Sequence, residues 1–141
     1  MAMSEASVVA LAIAAALHAG FQFTVTTVVY PALVAVEPKQ WTQAHAAHGR
    51  AIAPIVGAIY GALLVAVVWA ASSQPSNAWV WICVVGAAIS MSTTAFVAGP
   101  THGRLTTQPE PELLRRLIVS DRARSLGALV ALVGGLLAAL A

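Results

Sequence analysis

Charge is what this chain has least of. Of its 141 residues, 9 % are charged and 60 % are hydrophobic, a balance foreign to water-soluble folds. Residues 6–36 contain no Asp, Glu, Lys or Arg, and neither do residues 51–101. Cysteine is represented once, by Cys83 in mid-stretch, which excludes a disulfide within the chain and points to inert packing. Residues 1–7 carry Glu5 and no basic side chain. The basic n-region of a secretory signal is therefore missing, and the first apolar stretch is expected to remain as a permanent span.

What is present is four long apolar stretches. A bilayer core takes about 20 apolar residues per helix, and the polar turn Ser72-Ser73-Gln74-Pro75-Ser76-Asn77 divides the long central run in two. The expected spans are about 6–36, 51–73, 78–99 and 125–141, each helix satisfying its own backbone in hydrocarbon. The fold class is all-α, an integral membrane four-helix bundle. With 141 residues there is no room for a separate soluble domain, so 1–141 reads as a single transmembrane domain.

All seven basic residues fall in two connections: Lys39 and Arg50 after the first stretch, and Arg104, Arg115, Arg116, Arg122 and Arg124 after the third. By the positive-inside rule both connections are cytoplasmic and both termini lie outside the plasma membrane. This asymmetry accounts for the pI near 9.2. No aromatic and basic patch accompanies it, so no nucleic-acid partner is implied. The partner that the composition demands is the lipid bilayer.

The helices exceed what the membrane requires, and the excess lies on the cytoplasmic side, with helical extensions over about 40–50 and 110–124 forming a crown. Thr107-Gln108-Pro109-Glu110 reads as a capping box that opens the last helix, with Glu110 and Glu112 at its positive end. Trp41, His45, His48 and Ile52 follow steps of four, three and four, one face of a helix. Leu113, Leu114, Leu117 and Ile118 define a buried stripe that continues through Asp121, Arg124 and Ser125, while Arg115 and Arg122 point away. A carboxylate at Asp121 must then be paired, and Arg124 one turn on is its nearest candidate. His102, after Gly99-Pro100, reaches the same level. His18, Gln22, Thr26 and Tyr30 form a second polar line facing the interior, as do Ser90 and Thr94. His18 is expected to lie too far from the crown to take part, about 18 Å of helix separating it from Tyr30.

Pro31, Pro54 and Pro100 fall at a similar depth, and each removes an intrahelical donor, freeing the carbonyls of Thr27, Arg50 and Phe96. Three kinks at one level would open a cavity. Gly57-Ala58-Ile59-Tyr60-Gly61 is a small-xxx-small motif expected to serve close packing within the monomer rather than between monomers, and Gly127, Gly134 and Gly135 offer the last helix the same approach.

The runs Val29-Tyr30-Pro31-Ala32-Leu33, Trp41…His45…His48-Gly49-Arg50, Gly99-Pro100-Thr101-His102-Gly103-Arg104-Leu105 and Ser120-Asp121-Arg122-Ala123-Arg124-Ser125 resemble a group of small bacterial four-span membrane proteins. More distantly the chain is similar to the anthrone oxygenase-like family. In the small bacterial group the last run reads Asn-Trp-x-Arg-Thr; here Arg124 keeps the basic residue and the aromatic one is lost. The more distant resemblance implies oxidation of a flat polycyclic phenol, with histidine, tyrosine or tryptophan taking part.

Three readings of the crown follow. In the first, an oxidoreductase-like or ligand-binding site, His45, His48, His102 and Asp121 bind or deprotonate a hydrophobic, weakly acidic small molecule from the inner leaflet. Arg124 stabilises the anion, and Tyr30 and Trp41 line the pocket. In the second, His45, His48 and His102 ligate a metal, or His48 and His102 a haem, although no Glu-x-x-His pattern accompanies them. In the third, the same residues tie helix ends together in a structural or accessory subunit without catalysis. A transporter would require a homo-oligomer, since four spans supply one half and no internal repeat is evident.

Overall fold

The computed structural model describes residues 3–141. It contains four long helices and, among the described residues, no strand: α1 (Met3–Val34), α2 (Pro38–Ser73), α3 (Ala78–Arg104) and α4 (Pro111–Leu140). All four are long and apolar enough to cross a membrane, and the surface carries exposed Ile13, Phe23, Val65, Phe96 and Leu126. So large an apolar exterior is what lipid covers. α2 runs for 36 residues, or about 54 Å at 1.5 Å per residue, against a hydrocarbon core of about 30 Å. The surplus is the crown.

The helices run up and down in chain order, α1 lying beside α2 and α4, and α3 beside α4 and more loosely α2. The tightest seam is α3–α4, and its cause is glycine. A Cβ on Gly127 would meet the Gly86 carbonyl oxygen at 2.7 Å, and one on Gly134 would meet the Cys83 backbone nitrogen at 2.5 Å. Gly86 faces the backbone of Ala131 and Gly127 just as closely. Backbones this near gain dispersion contacts along their whole length, the main attraction left to helices in lipid. Cys83 is fully buried in this seam, as inert packing requires. Gly57 and Gly61 behave otherwise: both are exposed and nothing lies within 4 Å of a Cβ built on either. Their motif serves no packing inside the monomer, contrary to the expectation from spacing.

Pro31 and Pro100 are absorbed by the same device. A five-residue π-turn, Val25–Val29 in α1 and Thr94–Ala98 in α3, precedes each, closed by Tyr30 N–H to the Val25 carbonyl and Gly99 N–H to the Thr94 carbonyl. A wider turn lets a helix pass a proline without breaking. Pro54 sits in uninterrupted α-helix. α4 starts at Pro111 with Glu110 as its N-cap and no capping side chain. The expected box at Thr107 does not form, because Pro111 fits the first helical position and the Thr107 carbonyl instead accepts a bond from the Thr42 hydroxyl at 3.1 Å. At the other end Asn77 caps α3 through the Trp79 N–H at 3.0 Å.

Two apolar layers fill the interior. One, with Leu11, Ala15, Leu63, Ala66, Val80 and Ala131, lies toward the 74–77 turn. The other, with Val25, Leu33, Trp41, Leu105, Leu113 and Leu117, fills the crown. Buried polar side chains lie between them: His18, Gln22, Ser90, Asp121 and Arg124.

Candidate functional site

Asp121 and Arg124 share the inward face of α4 because three residues make nearly one turn. The Arg124 guanidinium donates from Nη2 to Asp121 Oδ1 at 2.8 Å, with both side chains buried. The same Oδ1 accepts Gln22 Nε2 from α1 at 2.7 Å. A carboxylate in this setting is tolerated because it is paired and hydrogen-bonded. Gln22 was legible only as one member of a polar line in α1; its role as the second partner of Asp121 depends on the α1–α4 contact.

Arg124 Nη2 also donates to the Tyr30 hydroxyl at 2.8 Å, and its Cζ lies 5.4 Å from the Tyr30 ring centroid. The Tyr30 hydroxyl is 3.4 Å from His102 Nε2, and His102 Nδ1 is 3.2 Å from His45 Nε2. His48 packs against His102 with ring centroids 5.6 Å apart. Trp41 stacks on His45 at 5.2 Å and 22°, while its indole N–H donates to the Leu105 carbonyl at 2.6 Å.

These bonds form one chain through all four helices, and its direction is fixed at one end. Guanidinium can only donate, so the Tyr30 oxygen accepts from Arg124, which leaves its own proton free to point to His102 Nε2. In that arrangement His102 carries its proton on Nδ1 and donates to His45 Nε2; with Nε2 protonated instead, the direction of both bonds reverses. Both rings are neutral in this arrangement, and charging both would place two cations side by side near Arg124.

Two hollows meet at Tyr30. A half-open cavity of about 90 Å³ is lined by His48, His102, Arg124, Thr94 and apolar residues that include Val25 and Ala98 of the two π-turns. The π-turns ahead of Pro31 and Pro100 thus border this cavity, while none of the three prolines lines it and Pro31 lines the outer groove instead. An outer groove of about 330 Å³ runs between α1 and α4, lined by Thr26, Tyr30, Pro31, Val34, Ile118, Asp121 and Arg122. A larger groove beside Arg104, Glu110, Arg115 and Arg116 lies on the charged outer surface, away from the chain of bonds.

Tyr30, His45, His48, His102, Asp121 and Arg124, scattered through the sequence, are thus brought together. Trp41 stands apart from the pocket-lining role expected of it: it is fully buried, absent from the lining of the cavity, and holds His45 from behind. Among the described residues no group of three His, Cys, Asp or Glu side chains is placed to hold a metal ion. His48 and His102 touch directly, leaving no slot for a haem between them. No family model, curated protein or solved structure matches the chain.

Proposed function

We propose that this protein binds a hydrophobic, weakly acidic small molecule dissolved in the membrane and removes its proton. The observation that carries the reading is the bonded chain Arg124–Tyr30–His102–His45, which has a cation at the buried side and imidazoles at the crown. An acid whose hydroxyl docks against Tyr30 from the α1–α4 groove gives its proton to the Tyr30 oxygen as Tyr30 passes its own to His102 Nε2. His102 passes the Nδ1 proton to His45 Nε2, and His45 releases one to water. The substrate is left as an anion beside Arg124, where a fixed cation in low dielectric is most effective. Histidine suits the relay because its ordinary pKa lies near working pH.

The substrate class follows from the space. The 90 Å³ cavity is too small for a polycyclic body, whereas the 330 Å³ groove is open toward lipid and within the usual range for small-molecule sites. A lipophilic phenol fits both the groove and the chemistry. Oxidation of a flat phenol, the reaction implied by the resemblance to the anthrone oxygenase-like family, would start from such an anion; proton removal is the step these residues account for. The crown is assigned to the cytoplasmic face because every basic residue is gathered there, in accord with the positive-inside rule.

The test is a difference spectrum with an alkylated 4-nitrophenol, whose phenolate absorbs at longer wavelength than the phenol, added to protein in mild detergent. Wild type is expected to bind it as phenolate, and Arg124→Gln to bind it weakly or as the neutral phenol. Folded wild type that leaves the probe spectrum unchanged would sink the proposal.

A further inference from the structure

Deeper in the bundle, four buried polar atoms have no hydrogen-bond partner: His18 Nδ1 and Nε2, Gln22 Oε1 and Arg124 Nε. They belong to neighbouring side chains. His18 and Gln22 are one turn apart on the inward face of α1 and are 0 % and 1 % exposed. Gln22 shares Asp121 Oδ1 with Arg124. Buried polar groups are seldom left unpaired, because each then costs about what a lost hydrogen bond does.

The chemistry of the four atoms identifies what would pair them. Arg124 Nε–H is a donor and Gln22 Oε1 an acceptor, and a neutral imidazole adds one of each. An anion would satisfy only the donors and a cation only the acceptors. Water satisfies both kinds at once, and the setting meets the usual conditions for buried water, namely polar partners and room. Room exists alongside. The 90 Å³ cavity is bordered by Arg124 and Thr94, though not by His18 or Gln22, and has room for a few waters. At its inner end the Thr94 hydroxyl is 2.9 Å from the Tyr60 hydroxyl, and the Tyr60 ring meets His18 edge-on with centroids 5.1 Å apart. At its outer end stand His48 and His102.

The opposite direction is closed. Toward the 74–77 turn the bundle interior next to His18 is built from Leu11, Ala14, Ala15, Leu63 and Ala66, all buried and apolar. We infer that His18, Gln22 and Arg124 share an internal hydration site within the bundle, open to the crown and sealed toward the other end, so that His18 exchanges protons with one side of the membrane only. A neutral imidazole takes a proton on one nitrogen and releases one from the other, so exchange needs no lasting charge in the hydrocarbon. The inference stands apart from the proposed substrate chemistry, since it uses atoms which that chain of bonds leaves unpaired.

Water-edited solid-state NMR on ¹⁵N-histidine-labelled full-length protein in lipid bilayers tests it, with the backbone amides of Leu11 and Leu63 labelled as dry references. Loss of a resonance in His18→Gln assigns the ring; if that variant does not fold, His45→Asn, His48→Asn and His102→Asn assign it by elimination. The His18 nitrogens are expected to receive polarisation from water while Leu11 and Leu63 do not, and Thr94→Val is expected to slow the transfer severalfold. A His18 ring as dark as Leu11 would overturn the hydration site, and unchanged transfer in Thr94→Val would overturn the route past Thr94. Vesicles under a pH gradient test the seal: no proton flux above that of empty vesicles is expected, and a flux abolished by His18→Phe would overturn it.

Discussion

Arg124 and Tyr30 meet twice, through a 2.8 Å hydrogen bond to the phenolic oxygen and through the guanidinium 5.4 Å from the ring centroid. The same nitrogen, Nη2, also holds Asp121, so one cation fixes both the phenol of α1 and the carboxylate of α4. This gives Tyr30→Phe a specific expected effect. The chain is cut between Arg124 and His102 while the ring and its cation contact remain, so thermal stability in detergent should fall by about 2–4 kcal/mol, two hydrogen bonds being lost and one of them to a charged group. Phenolate formation by the nitrophenol probe should be lost. Retention of the phenolate band would remove Tyr30 from the proton route.

Breaking the ion pair is a different matter. Arg124→Leu leaves Asp121, 3 % exposed, with only the Gln22 amide against its charge, and should cost about 3–5 kcal/mol. Asp121→Asn combined with Arg124→Leu removes both charges and should recover much of that loss. Thermal unfolding of the two single variants and the double one measures the coupling; additive losses would show that the two charges do not depend on each other.

The glycines separate by their surroundings. Gly86→Ala would drive a methyl group into the backbone of Ala131 and Gly127, forcing α3 and α4 apart at a cost of about 1–3 kcal/mol, the usual range for overpacking. Gly57→Ala meets nothing within 4 Å and should be neutral or mildly stabilising to the monomer. Melting temperatures of the two variants in the same detergent decide the matter, and equal losses would contradict the seam described.

Orientation is open to direct labelling. Gln108, exposed in the connection between α3 and α4, can be replaced by Cys, while the native Cys83, fully buried, should stay silent. A membrane-impermeant maleimide should modify Gln108→Cys in inside-out vesicles and not in intact cells. The reverse pattern would turn the protein over and place the crown outside.

The site was partly legible beforehand. Trp41, His45 and His48 share a helical face by their spacing alone, and Asp121 and Arg124 do so on α4; both faces are the inward ones. Missing from that reading was depth across helices. Spacing along α1 keeps His18 about 18 Å of helix from Tyr30, yet Tyr60 of α2 and Thr94 of α3 join its surroundings to the cavity beneath the histidines. Trp41 shows the converse: an aromatic on the inward face can line a pocket or brace its neighbour, and its 2.6 Å bond to Leu105 decides for bracing.

The sequence by itself determined that there are four helices long and apolar enough to cross a membrane and that the basic residues gather in two of their connections. Hydrocarbon accepts only backbones that satisfy themselves, and charge is excluded from it, so composition along the chain is enough. Tertiary structure alone decided which polar groups touch. Whether Gly57 or Gly86 makes the close contact, whether Asp121 has one partner or two, and which way the Tyr30 proton points all depend on the rotation and height of one helix against the next. Shifts of about an ångström settle those relations, and the hydrophobic pattern of a single helix carries no information about its neighbour's height.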